Sequence, residues 1–241
     1  MYEDNAFVTL TFRNEDLPDD RSIQKYHLQN FIKRLRKANP GRNIRYFACG
    51  EYGSVHSRPH YHALLFNHDF PDKRQHALRN GNITYRSDEL ERLWPYGFSE
   101  IGEVTFQSAA YVARYVFKKF KGKEEDKENH YLKIDKETGE AFKVNPEFVV
   151  MSLNPGIGKP WFDKFILDTG KDFITHKGEK YPLPRYYDKL LERIDPEEYQ
   201  RRKDSRIEQA KKNWDTEERL ESKEKVKVAQ TKLLNRNYED D

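Results

Sequence analysis

Cysteine and long apolar runs are almost absent from this sequence. The single cysteine, Cys49, excludes an internal disulfide and a cysteine-rich zinc cage, which indicates a reducing compartment. No apolar run approaches the roughly 20 residues of a transmembrane helix, and the N-terminus lacks the apolar segment of a signal peptide. We therefore predict a cytoplasmic protein with no membrane partner.

Hydrophobic residues are also scarce: they make up 36% of the chain, against 35% charged residues, although aromatic residues reach 14%. The 241 residues suffice for one large domain, but this composition predicts a compact part joined to solvated parts. Residues 196–241 hold 12 basic and 12 acidic residues and few apolar ones. This end of the chain is interpreted as a solvent-facing helix, a docking element or a partly disordered segment.

Acidic residues are missing from residues 21–50, which contain eight lysines and arginines. A stretch of one charge sign attracts phosphate groups, so it is a candidate nucleic-acid contact, and a solvated basic helix face is the alternative. With two arginines from outside the stretch, the candidate DNA-binding residues are Lys33, Arg34, Arg36, Lys37, Arg42, Arg45, Arg58 and Arg114.

The apolar pattern predicts strand, helix, hairpin, strand and helix in that order. The hairpin joins NIRYFACGE to PHYHALLF, and the last helix is FQSAAYVARYVFKKF. This order is typical of an α+β fold in which helices pack on one side of an antiparallel sheet. Ser87 and Thr105 are predicted helix N-caps, PEFVVMS is one more possible strand, and residues 67–93 and 121–146 are interpreted as polar insertions.

Two histidines stand two residues apart at the start of PHYHALLF. Alternate residues of a strand face the same way, so His60 and His62 point to one side of the sheet. Glu51, on the preceding hairpin strand, can supply an oxygen ligand. Such a nitrogen and oxygen site suits Mg²⁺ or Mn²⁺, and it would also accept Zn²⁺. A structural histidine pair is the alternative, and His56 and His68 are further candidate ligands.

Two tyrosines stand four residues apart in the last predicted helix. A helical wheel centred on Ala113 predicts an apolar core face, with Tyr111 and Tyr115 near the opposite side beside Lys118. The residues of that predicted core face are Phe106, Ala109, Ala110, Val116, Phe117 and Phe120. A phenolate can attack phosphorus, and a lysine or a metal ion would favour the phenolate form. The alternative is an aromatic pair that only stabilises the helix.

With HYH and YVARYVFKK together, the chain resembles the HUH endonuclease superfamily, and most closely the replication initiators of gokushovirus-type microviruses. The similar segments run from FVTLTF through GEYG, RPHYHALLF, LWPYGF and SAAYVARYVFKK to EFVVMSLNPGIGKPWF and LPRYY. The resemblance implies an RRM-like (ferredoxin-like) core with about five antiparallel strands. It further implies an HUH endonuclease domain over residues 1–187 and a charged helical or partly disordered extension over 188–241.

The resemblance also implies a reaction, in which Tyr111 or Tyr115 nicks single-stranded DNA at the phage origin and remains on the 5′ end. The second tyrosine then cuts the regenerated origin, and the displaced strand is closed into a circle. His60, His62 and Glu51 would hold Mg²⁺ or Mn²⁺, and Lys118 or Lys119 would assist. Host helicase and DNA polymerase, in the cytoplasm of the bacterial host, are the implied partners.

Two other functions remain open from the residues alone. A non-catalytic module could bind single-stranded nucleic acid by stacking bases on Tyr61, Phe47 and Tyr46. A metal-dependent phosphodiesterase could use activated water in place of tyrosine, and would leave no protein on the DNA.

Overall fold

The computed structural model describes residues 2–53, 57–79, 81–118, 130–134, 139–166, 172–212 and 215–232, with side chains except at 79, 115–118 and 231–232. The chain divides into two compact units, one formed by residues 2–152 and the other beginning at Leu153. The endonuclease domain expected over 1–187 includes the first unit and the beginning of the second. Its boundary stays a prediction.

Nine strands belong to the first unit. In chain order they are β1 (Asn5–Phe12), β2 (Arg45–Tyr52), β3 (Pro59–Phe66), β4 (Arg74–Arg79), β5 (Asn82–Arg86), β6 (Gly97–Gly102), β7 (Leu132–Ile134), β8 (Ala141–Lys143) and β9 (Phe148–Met151). Seven of them form one antiparallel sheet in the order β4-β5-β6-β1-β3-β2-β9, while β7 and β8 form a separate hairpin. The predicted α+β class with a large antiparallel sheet is confirmed.

The sheet has seven strands where the resemblance implied about five, because the segment expected as an insertion at 67–93 contributes β4 and β5. Few apolar residues mark these two strands, which hid them from a hydrophobic pattern. The Asn-Gly dipeptide at positions 80–81 is typical of a two-residue hairpin turn and could have revealed them. Gly81 has a φ of +80°, which favours glycine.

Three helices accompany the main sheet: α1 (Lys25–Ala38), α2 (Asp88–Leu93) and α3 (Phe106–Lys118). Both predicted N-caps are confirmed. Ser87 Oγ accepts a hydrogen bond from the Leu90 backbone N–H at 3.0 Å and caps α2. At α3, Thr105 Oγ1 accepts from the Ser108 N–H at 3.1 Å, and Ser108 Oγ accepts in return from the Thr105 N–H at 2.8 Å.

The helices lie on both faces of the sheet, so the expectation that they pack on one side was wrong. Alternate side chains of β1 and β3 join α1 in the largest apolar core; we call this the α1 face. On the opposite side, the α3 face, Phe7, Cys49 and Leu64 pack against Tyr111 and Val112 of α3. Seven of the eight residues of β3 are buried, as expected of a strand covered on both faces.

The helical wheel predicted the wrong buried face for α3. Tyr111 is 2% exposed and Val112 is fully buried, whereas Phe106 is 53% exposed and Ala113 is also exposed. Most positions of α3 are apolar or aromatic, so a wheel does not define a single core face. Within the predicted core stripe, the side chains of Val116 and Phe117 are not described, and the remaining member, at position 120, lies outside the described residues.

The second unit contains four helices and a small hairpin. They are α4 (Lys159–Phe165), β10 (Phe173–His176), β11 (Glu179–Pro182), α5 (Arg185–Ile194), α6 (Pro196–Lys212) and α7 (Glu217–Lys232). Its core includes Phe162, Tyr187 and Leu191, and the Trp161 and Tyr187 rings stack with centroids 5.4 Å apart. The charged helical extension is confirmed by α6 and α7. No helix in the described ranges is long and apolar enough to cross a bilayer.

Candidate active site

Two histidines and a glutamate meet on the α3 face at neighbouring strands β2 and β3. Glu51 pairs with His60 in the strand register, and His62 follows on the same side. Glu51 Oε1 lies 3.0 Å from His60 Nε2 and 2.9 Å from His62 Nε2. One ligand atom from each residue lies within 4.8 Å of the others, and all three side chains are buried. The predicted ligand set is therefore one compact group.

The outward nitrogen of each imidazole is held by a second contact. His60 Nδ1 donates to the backbone oxygen of Arg58 at 3.0 Å, and His62 Nδ1 lies 3.1 Å from Thr9 Oγ1. The Phe7 ring stacks on His62 with centroids 5.6 Å apart. These contacts direct both Nε2 atoms toward the same carboxylate oxygen, and such backing partners are typical of histidines that bind metals.

The Glu51 carboxylate is charged despite its burial. Burial has the largest single effect and would raise the pKa of Glu51, but hydrogen bonds from His60 and His62 together hold it well below its usual range. Metal ligands must be deprotonated, and this group joins one anionic oxygen to two imidazole nitrogens. The residues therefore fit a metal ion: the buried Glu/His/His group could bind one.

Tyr111 projects from α3 onto this group. Its hydroxyl donates to Glu51 Oε1 at 3.5 Å, the same oxygen that contacts both histidines. The Tyr111 and His62 rings meet edge to face with centroids 5.4 Å apart. The Arg114 guanidinium carbon lies 5.8 Å from the Tyr111 ring centroid, so a cation accompanies the phenol.

Several predicted site residues cannot be placed in the same way. Tyr115 lies one helical turn after Tyr111, and Lys118 ends α3, but neither side chain is described. Lys119 and the candidate ligand His56 lie outside the described residues. The ligand group found among the described residues does not include His68.

The basic residues of α1 are not brought to the ligand group. Helix α1 packs on the α1 face, whereas the histidines and glutamate lie on the α3 face. Arg34 and Arg36 donate hydrogen bonds to backbone carbonyl oxygens at 2.8 and 3.0 Å, while Lys33 and Lys37 are exposed. Their contact with DNA stays a prediction.

The other predicted basic contacts have structural partners or are buried. Arg42 pairs with Asp4 at 3.1 Å, and Arg45 is buried. Arg58 donates to the backbone oxygen of Phe12 from two nitrogens, at 3.1 and 2.6 Å. Arg58 therefore ties the start of β3 to the end of β1, next to the backbone oxygen that holds His60.

Thr9 was not predicted from the sequence. It lies opposite His62 in the register between β1 and β3, which are separated by some 50 residues of chain. The alternation of FVTLTF places Thr9 on one side of β1 together with Phe7 and Thr11. That pattern gives its face, but not the strand or the residue that it pairs with.

An antiparallel sheet that presents two histidines and a glutamate to a tyrosine helix defines the class of domain that the HUH resemblance implies. Comparison with known proteins then gives the family. Residues 5–120 match the family model described as replication-associated protein ORF2. The chain belongs to this family of phage replication-associated proteins, which confirms the resemblance.

Three relatives show how far the similarity extends. The chain is 34% identical over 210 residues to replication-associated protein VP4 of Bdellovibrio phage phiMH2K, 33% over 202 residues to replication-associated protein ORF2 of Spiroplasma virus 4, and 30% over 206 residues to replication-associated protein ORF4 of Chlamydia phage 1. These alignments cover 83%, 78% and 80% of this chain, but only 61%, 58% and 47% of the relatives' lengths. No solved structure matches the chain significantly.

Proposed function

We propose that this chain initiates rolling-circle replication of a small phage genome by nicking single-stranded origin DNA with a tyrosine. The observation that carries this proposal is the contact of Tyr111 with Glu51 Oε1, the oxygen that both histidines share. A phenol beside a buried candidate metal site is suited to attack on a phosphodiester. Membership of the replication-associated family supports a role in DNA replication.

In this reaction the Tyr111 oxygen forms a bond to phosphorus while the bond from phosphorus to the 3′ oxygen breaks. The phenolic proton passes to solvent, and the 3′ oxygen leaves as a hydroxyl that takes up a proton. Arg114, beside the Tyr111 ring, favours the phenolate. Mg²⁺ or Mn²⁺ held by Glu51, His60 and His62 would polarise the non-bridging phosphate oxygens and offset the charge that develops there.

The product is a 5′-phosphotyrosine link that retains the energy of the cleaved diester. The free 3′ hydroxyl then primes a host DNA polymerase, with a host helicase opening the duplex, in the cytoplasm of the bacterial host. Tyr115, one turn along α3, cuts the regenerated origin while Tyr111 is still esterified, and the displaced strand is joined into a circle. Lys118 or Lys119 assists the phenolates or the scissile phosphate.

The stacking module is less well supported. It requires Tyr61 to present its ring to a base, but Tyr61 is fully buried on the α1 face. The Tyr61 hydroxyl also bonds to both backbone groups of Gln24, at 2.9 and 3.1 Å. Moving this ring to the surface would break a buried network, so Tyr61 serves the core.

A covalent-adduct assay tests the proposal. The protein is incubated with Mn²⁺ and single-stranded oligonucleotides that tile the phage origin, and a denaturing gel is examined for a protein–DNA adduct. The double variant Tyr111→Phe/Tyr115→Phe should form none, while Tyr26→Phe, an exposed tyrosine on α1, should match the wild type. An adduct at full yield in the double variant contradicts the tyrosine assignment, and Mn²⁺-dependent cutting without any adduct favours the phosphodiesterase.

The same assay tests the metal ligands. His60→Ala and His62→Ala should each abolish nicking, because each removes one of three ligands from the group. Circular dichroism and a thermal melt show whether each variant is folded. Mn²⁺-dependent nicking retained by both folded variants would contradict the assignment of the metal site.

A further inference from the structure

One aromatic side chain on the α3 face is open to solvent. Phe98 lies on β6, an interior strand between β5 and β1, and it is 58% exposed. Its neighbours Ser99 and Ile101 are buried, and Ile101 packs in the core of the α1 face. Helix α3 packs mainly against β2, β3 and β9, so it covers a different part of the sheet.

Phe98 belongs to the same cross-strand row as the ligand group. Phe98 pairs with Thr11, Thr11 with His60, and His60 with Glu51. Directly paired residues of antiparallel strands project on the same face of a sheet. At about 4.8 Å per strand, Phe98 lies about 10 Å from His60 along the row. The exposed ring is therefore close to where the scissile phosphate would be held.

The chemistry around Phe98 suits a base better than a phosphate. Glu100 follows Phe98 on the same side of β6, and its carboxylate disfavours a second phosphate there. The Glu100 carboxylate lies 3.9 Å from His76 Nε2 on β4. An aromatic ring offers a stacking surface to any base, worth about 1–3 kcal/mol per base.

We propose that Phe98 stacks on a base of the single-stranded substrate that flanks the phosphodiester held at Glu51, His60 and His62. This inference rests on the proposed nicking function and extends it, because it identifies a surface that sets the path of the strand. The strand would run along the row, with the scissile phosphate at the histidines and a flanking base over Phe98.

Affinity measurements on an intact strand test this proposal. The parent protein is Tyr111→Phe/Tyr115→Phe, which leaves the DNA uncut, and the probe is a fluorescent oligonucleotide that the wild type cuts. Adding Phe98→Ala should weaken binding about tenfold, while Phe98→Trp should stay within about twofold, because only the first removes the aromatic face. Leu78→Ala, which removes a 68% exposed apolar side chain on β4, should leave affinity unchanged.

Removing single bases separates stacking from a structural effect. One abasic position near the cut should weaken binding to the parent protein about tenfold and have no further effect on Phe98→Ala. Unchanged affinity of Phe98→Ala, or equal abasic penalties in both proteins at every position, would overturn the proposal. Adduct formation by the wild type is scored separately, so loss of the stacking result alone leaves the nicking function standing.

Discussion

The contact between Thr9 and His62 gives the sharpest test of the candidate metal site. Thr9→Val keeps the shape of the side chain and removes the hydroxyl that lies 3.1 Å from His62 Nδ1. Without that partner the imidazole proton can move to Nε2, the nitrogen that must bind the metal. We expect the variant to fold and to bind Mn²⁺ more weakly.

The size of the effect follows from the burial of His62. The ring is fully buried, so water cannot replace the lost hydroxyl. An unpaired buried polar group costs about 1–3 kcal/mol, and the loss of a backing partner lowers metal affinity about 10–100-fold. Because tenfold in affinity corresponds to about 1.4 kcal/mol, the two estimates agree.

Isothermal titration with Mn²⁺, in the absence of DNA, measures this loss directly. Thr11→Val is the matched control, because Thr11 lies on the same side of β1 but makes no hydrogen bond to either histidine in the described chain. Thr11→Val should bind Mn²⁺ as the wild type does. If a folded Thr9→Val protein also binds Mn²⁺ within about twofold of the wild type, the hydroxyl does not position His62.

Two further predictions concern residues away from the ligand group. The double variant Lys33→Gln/Lys37→Gln should nick the origin within about twofold of the wild-type rate, because exposed charges across the sheet act through screening solvent; a loss above about tenfold would place these lysines on the DNA. Burial lowers the pKa of His68, so its neutral ring stabilises the fold above about pH 6.5, and this stability is lost as the pH falls. His68→Leu should therefore reduce the difference in urea midpoint between pH 7.5 and pH 5.5, with His76→Gln as the control; an unchanged difference would contradict this assignment.

The ligand group could be predicted because it depends on local geometry. Two-residue periodicity places His60 and His62 on one face, and a short connection makes β2 and β3 a hairpin. Glu51 then lies opposite His60, as the register shows. The metal site was therefore accessible from about 16 residues of sequence, without knowledge of the rest of the sheet.

The residues that sequence did not reveal lie on strands that pair over long distances. Thr9 and Phe98 reach the row only because β1 lies between β3 and β6. Their faces follow from alternation within each strand, but their partners depend on which strands pair and in which register. No short-range pattern encodes that choice, because it is made by the packing of the whole sheet.

The error in the α3 wheel has a related cause. A helical wheel assumes that the most apolar stripe is buried, and that assumption fails where the buried surface contains a polar group that needs a partner. Here the α3 face buries Glu51, His60 and His62, so a tyrosine that combines an apolar ring with a hydroxyl fits better than the alanines of the predicted stripe. The wheel therefore failed at the position where the helix meets the candidate chemistry, and a tyrosine flanked by alanine and valine on an apolar helix is itself a signal of such a place.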